Sequence, residues 1–162
     1  MGQPAARLGD ATAHGSPLVL GPPSLNVIIG GQPAWLGMTA AAAAALAATI
    51  AEGVKDVADK TAKAAAAASL GPIASAKAQK DLVEAQKDAI ANASAAMTGS
   101  GASINICPLL TVLIPHVMGV VTSPSKTVII NKMGACRVGD VITEVTAVNS
   151  IAVGFPTVMI GG

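Results

Sequence analysis

Hydrophobic positions fall into two kinds of pattern along the chain. Between Met38 and Met97 the larger aliphatic residues recur at helical spacing: Leu46, Ile50, Val54 and Val57 share one face, and Leu82, Val83 and Ile90 can meet them from a second segment. Alanine, the strongest helix former, fills 25 of these 60 positions. Opposite charges four residues apart, in Asp56/Lys60, Asp59/Lys63 and Lys80/Glu84, support the same conformation. Gly71-Pro72 interrupts the run, so the pattern predicts two antiparallel helices near 39–69 and 73–97. The flanks, 1–37 and 98–162, hold 15 of the 17 Gly and 9 of the 10 Pro, with Val and Ile in short runs between them. They predict short strands and tight turns. An α-helical hairpin at 38–97 therefore interrupts a mainly β domain made of 1–37 and 98–162.

The flanks also repeat. Three segments read as a turn, an apolar strand and a second turn: Gly21-Pro-Pro-Ser-Leu-Asn-Val-Ile-Ile-Gly-Gly31, Ser123-Pro-Ser-Lys-Thr-Val-Ile-Ile-Asn131 and Gly154-Phe-Pro-Thr-Val-Met-Ile-Gly-Gly162. The first is followed by Pro33-Ala-Trp-Leu-Gly37 and the second by Gly134-Ala-Cys-Arg-Val-Gly-Asp140. The third ends at Gly162, and its missing partner stands at the other terminus as Pro4-Ala-Ala-Arg-Leu-Gly-Asp10. A repeat cut circularly in this way brings the two ends of the chain together. Three such units about an axis make a small pseudo-threefold β domain, with the helical hairpin inserted just after Gly37.

Composition narrows the function. The chain is 52% hydrophobic and 12% charged with a net charge of +1, and Trp35 and Phe155 are its only aromatic residues. Disordered chains are polar and charged, which this one is not. A nucleic-acid binder needs a basic stripe with stacking aromatics, and both are missing. Two cysteines, Cys107 and Cys136, are too few for a disulfide framework and read as reduced thiols or metal ligands. Met1–Arg7 lacks the basic and apolar runs of a secretory signal, so no signal peptide is expected. The uncharged stretch from Met38 to Ala51 is shorter than the roughly 20 residues of a spanning helix. Ile104–Val121 is long enough, but Pro108, Pro115 and its β-branched content favour strands, so the reading is a soluble protein.

Pro4-Ala-Ala-Arg7 with its following Gly-Asp, His14-Gly15, Cys107-Pro108, Pro115-His116 and Ala135-Cys-Arg-Val-Gly-Asp140 together resemble the PAAR-repeat proteins. The resemblance covers both flanks and leaves the insertion unexplained. It implies a conical PAAR β domain that caps the trimeric VgrG-like spike of a contractile injection system, either type VI secretion or an extracellular phage-tail-like particle, with a zinc ion near its tip. One chain carrying three repeats can meet a threefold partner with an equivalent contact on each face. Sparse charge also fits strand edges that a partner covers.

Under this resemblance the metal ligands can be argued by position. His14 stands four residues after Asp10, and Glu144 stands four residues after Asp140, so the repeat carries Glu144 towards the place of His14. The remaining arm, 104–119, supplies Cys107 and His116. Imidazole, thiolate and carboxylate are all zinc donors. Many family members have Cys where this chain has Glu144, and Cys136 is the alternative fourth ligand; the other reading of Cys136 is a small buried apolar side chain. Arg7 and Arg137 are equivalent, either as solvated edge charges or as spike contacts.

The function implied is structural and not enzymatic: a metal-pinned spike tip, assembled in the bacterial cytoplasm and carried at the tip of the particle, meeting a target membrane only on firing. The helical insertion is either a structural hairpin or a contact for an effector or tube protein. The alternative is a zinc-dependent hydrolase, for which the chain lacks His-Glu-x-x-His and offers little polar sequence to form a pocket.

Overall fold

A computed structural model describes residues 2–19, 22–111 and 114–161, with the side chains of 109–117 outside that description. The elements run β1 (Gln3–Ala5), β2 (Ile28–Ile29), β3 (Gln32–Pro33), α1 (Ala40–Ala67), α2 (Pro72–Gly99), β4 (Ile104–Thr111), β5 (Ile114–Val121), β6 (Ile129–Ile130), β7 (Met133–Gly134), β8 (Val141–Glu144), β9 (Val148–Ser150) and β10 (Phe155–Ile160). The described residues form a mixed structure, with a helical insertion and a curled, half-barrel sheet. The expectation of a mainly β chain is corrected on this point. Each inserted helix is 28 residues long, whereas the repeat strands are only two to eight. The chain forms two compact units, Met1–Ala43 with Met97–Gly162, and Ala44–Ala96. Among the described residues no helix is long and apolar enough to cross a membrane.

In α1 the buried and half-buried positions fall at 42/43, 46, 49/50, 53, 57, 60, 64 and 67, a three-four spacing. The expected apolar stripe is wrong at Val54 and Val83, which are 64% and 46% exposed; Gly53 takes the seam of α1 instead. A Cβ on Gly53 would lie 2.9 Å from the Cβ of Ala89, so the small residues set a close approach of the two helices. Gly71, at φ +106°, ends the first helical run, and Pro72 opens α2, where its missing N–H leaves no bond unmade.

The larger unit is built on the repeat. Ala6 N donates to Cys136 O, Cys136 N to Trp35 O, and Trp35 N to Ala6 O, at 2.9, 3.0 and 3.0 Å. These three bonds close a ring through the three equivalent segments. A second ring runs through the same three segments with donors and acceptors in the reverse direction, from Leu8 N to Pro33 O, Gly37 N to Gly134 O and Val138 N to Pro4 O, each 2.9 Å. Alternate residues point to opposite sides of the rings. On one side Ala5, Ala34 and Ala135 pack with Ile29, Ile130, Ile160 and Leu36. On the other, Ala6, Trp35 and Cys136 pack with Leu18, Val121, Ile142 and Ile151. β1 pairs antiparallel with β10, with Gln3 opposite Ile160, so residues near the two ends of the chain share one two-stranded sheet.

Three further contacts follow the same cyclic order. Asn131 Nδ2 donates to Ser24 Oγ at 3.4 Å, Ser125 Oγ donates to Gly161 O, and the Phe155 ring covers Gly30. The first is reinforced by reciprocal amide bonds between Asn26 and Asn131, of 3.2 and 2.9 Å. That pairing accounts for an asparagine at φ +53°, where the equivalent first repeat has Gly30.

Candidate metal centre

Each repeat sends an arm away from the rings. In two of them an arginine and the aspartate three residues later hold the exit turn: Arg7 bonds Asp10 and Arg137 bonds Asp140 through backbone N–H and guanidinium, at 2.8–3.3 Å. Gly9 and Gly139 complete these turns at φ +90° and +88°. The two arginines are therefore turn anchors. In the remaining copy the place of the aspartate is taken by Thr39, whose Oγ1 accepts from Ala42 N at 3.2 Å, and the chain leaves as α1. It returns beside the ring at Ser103, whose N–H donates to Leu36 O at 2.9 Å, and β4–β5 forms the third arm.

The first arm closes as a tight turn. Thr12 N donates to Ser16 O and Gly15 N to Thr12 O, both 2.9 Å, with Gly15 at φ +78° and His14 between them. The second arm is the β8–β9 hairpin, with Glu144 as the last residue of β8. The third presents β4, where Asn105 and Cys107 are buried and the alternate residue Ile106 is 42% exposed. β4, β5, β8 and β9 form one antiparallel sheet in that order, with Asn105 opposite Gly119 and Gly119 opposite Glu144.

His14, Cys107 and Glu144 meet, one from each arm, with one donor atom of each within 4.8 Å of the others. His14 Nδ1 lies 3.5 Å from Cys107 Sγ and 3.4 Å from Glu144 Oε2. Glu144 and Cys107 are 2% and 1% exposed. A tetrahedral ion at ordinary metal–ligand distances separates its N and S donors by about 3.6 Å and its N and O donors by about 3.3 Å. The two separations match these edges, so the group could hold a metal ion. A thiolate and an imidazole do not suit calcium or magnesium, which take oxygen ligands.

Of the other expected ligands, His116 stands in β5 and its side chain lies outside the described residues. Cys136 is not at the centre. Its side chain is buried in the apolar cluster with Trp35, Leu18 and Ile151, where burial and the negative charge of Asp140 push its thiol pKa well up, against the opposing pull of Arg137.

Two residues at the centre carry no signal in the sequence. A Cβ on Gly119 would stand 2.8 Å from Cγ of Glu144, so the glycine leaves room for the carboxylate. Asn149, buried in β9, donates from Nδ2 to Glu144 Oε1 at 2.8 Å and accepts from His14 N at 3.2 Å. Below the centre, Ser16 Oγ meets Thr12 Oγ1 at 2.9 Å and Asn105 Nδ2 at 3.3 Å, so the polar interior continues along β4.

No protein-family model, curated protein or solved structure matches this chain.

Proposed function

We propose that the chain is a PAAR-type spike tip of a contractile injection system, seated one chain per trimer on a VgrG-like spike protein. The observation that carries this reading is a set of three equivalent exposures. Ile28, Ile129 and Met159 hold the same position in the three repeats and are 56%, 55% and 56% exposed, while the next residues, Ile29, Ile130 and Ile160, are 8%, 9% and 4% exposed. A single exposed isoleucine is common on any protein surface. Three at matched exposure around a closed ring suit a partner that offers the same pocket three times. Covering each would contribute on the order of 1 kcal/mol before the costs of association.

In this reading the strand pairs β2–β3, β6–β7 and β1–β10 form the broad base of a pseudo-threefold cone, and the metal centre pins its narrow end. There three arms converge with little apolar area to bury, and a zinc ion stabilises the folded state in place of a core. The soft and borderline donors of Cys107 and His14 favour zinc among the divalent ions available to a bacterial cell, with Glu144 as the third ligand. The tip is assembled in the bacterial cytoplasm, and the particle then carries it outwards. The helical insertion, present on only one of the three arms, contacts an effector or the surrounding tube.

Co-expression with the trimeric spike protein tests the main reading. One chain per three spike subunits is expected, with about one zinc per chain by elemental analysis. The triple variant Ile28→Asp, Ile129→Asp and Met159→Asp is expected to keep its zinc and lose the complex. An intact complex with that variant, or none with the native chain, would sink the reading. Replacing 44–96 with a short Gly/Ser linker tests the role of the helices: full loading of cargo and tube by that variant removes it.

A further inference from the structure

We infer that Asn149 is a positioning residue of the metal centre, fixing Glu144 as a one-oxygen ligand and tying it to the turn that carries His14. The inference rests on the metal reading above and assigns a role to a residue that donates nothing to the ion itself. Asn149 is 4% exposed, and its amide bonds three groups. Nδ2 donates to Glu144 Oε1 at 2.8 Å, while Oδ1 accepts from His14 N at 3.2 Å and from Ser150 N at 2.8 Å. The orientation of an amide is assigned from such partners, and here it is fixed. Turned over, Nδ2 would face two backbone N–H donors and Oδ1 would face a carboxylate, three repulsive contacts in place of three bonds.

Two consequences follow from this geometry. The bond to Oε1 turns that oxygen towards the hairpin, so Oε2, the oxygen 3.4 Å from His14 Nδ1, is the one that faces an ion. A carboxylate so held binds through one oxygen, which keeps the coordination number low and favours a four-coordinate ion over the six to eight oxygens that calcium takes. Asn149 also joins two ligand-bearing arms through groups that are not themselves ligands. His14 belongs to the 12–16 turn and Glu144 to β8, and the amide in β9 spans them. The spacing of the imidazole and the carboxylate is thereby set before the ion arrives, the usual role of an outer hydrogen bond to a metal ligand.

Zinc affinity measured by chelator competition on the full chain, with cobalt(II) as a spectroscopic substitute, tests this in four forms: native, Asn149→Ala, Glu144→Ala and the double variant. Loss of the amide is expected to weaken zinc binding by about 10- to 100-fold in the native background and to change it little when Glu144 is already absent. The intense visible bands of four-coordinate cobalt are expected to fade in Asn149→Ala as the carboxylate becomes free to bind through both oxygens. Asn149→Asp keeps the acceptor for both backbone N–H groups and replaces the donor by a carboxylate oxygen that repels Glu144, so it separates a metal role from a turn role if Asn149→Ala fails to fold. Equal losses in both backgrounds, or native affinity and cobalt bands in Asn149→Asp, would overturn the role of Asn149 and leave the metal centre standing. A native chain that takes up neither zinc nor cobalt overturns both.

Discussion

Glu144 reaches His14 and Cys107 across a gap that Gly119 leaves in β5: a Cβ at position 119 would stand 2.8 Å from Glu144 Cγ and 2.7 Å from Ile142 Cγ2. Neither neighbour can retreat easily, because Ile142 is fully buried in the apolar cluster and Glu144 is held by Asn149. Gly119→Ala is therefore expected to destabilise the fold by about 1–3 kcal/mol through overpacking. It is also expected to weaken zinc binding, since the clash falls on Cγ of the ligand itself. Thermal unfolding and chelator competition on the same variant check the two effects, and unchanged zinc affinity would show that the gap does not serve the ligand.

The two cysteines are expected to separate completely. Cys107 Sγ is 3.5 Å from His14 Nδ1, whereas Cys136 packs among Trp35, Leu18 and Ile151 with its thiol pKa pushed up by burial. Cys107→Ser should abolish stoichiometric zinc, and Cys136→Ala should retain it at nearly native affinity. The folded native chain should also leave Cys136 unmodified by iodoacetamide near neutral pH, because the thiolate is the reactive species. Peptide mapping after alkylation reads this directly, and zinc lost with Cys136 would move that cysteine into the centre.

Different parts of this architecture were legible to different degrees. The repeat could be read because its glycines, prolines and Val/Ile pairs recur in order, and circular order survives in a linear string. His14 and Glu144 could be set beside one another because each follows a Gly-Asp turn by four residues, and equivalent turns, Gly9 at φ +90° and Gly139 at +88°, start equivalent arms. The helical seam was read incorrectly at Val54, since side-chain size points to valine while close helix approach selects Gly53. Asn149 and Gly119 were illegible for another reason. Their roles come from contacts across the sheet and between arms, at sequence distances of 135 and 25 residues from His14 and Glu144 respectively. No local pattern encodes such a pairing.

Adjacent glycines in the first hairpin should behave differently. Gly30 and Gly31 both have positive φ, +53° and +84°, so alanine at either is strained. A Cβ on Gly30 would in addition fall 2.4 Å from the Phe155 ring, while one on Gly31 meets nothing within 4 Å. Gly31→Ala is expected to cost about 1 kcal/mol and Gly30→Ala about 2–4 kcal/mol, with the excess largely removed in a Gly30→Ala, Phe155→Ala double variant. Denaturant unfolding of the native chain, Gly30→Ala, Phe155→Ala and the double variant measures the coupling, with Gly31→Ala as the reference for backbone strain. Equal losses at the two glycines would mean that the aromatic clasp does not hold the first repeat to the third.

Asp140 gives the larger unit a pH dependence of unusual sign. Burial raises its pKa above the ordinary 3.8, and the hydrogen bonds and positive charge of Arg137 only partly offset the rise. The folded state therefore holds this proton more tightly than the unfolded state does. The stability that the group contributes is complete below the ordinary carboxylate value and is lost as pH rises through the raised folded value. Its contribution opposes acid unfolding instead of driving it. Asp140→Asn cannot titrate, so the difference in stability between the variant and the native chain is expected to depend on pH across that acidic window and to level off above it. Equilibrium unfolding of both proteins at matched pH values measures this, with chelator present throughout to keep metal binding from contributing. A native chain that gains stability relative to Asp140→Asn as pH rises through the window would show that the pairing with Arg137 outweighs burial.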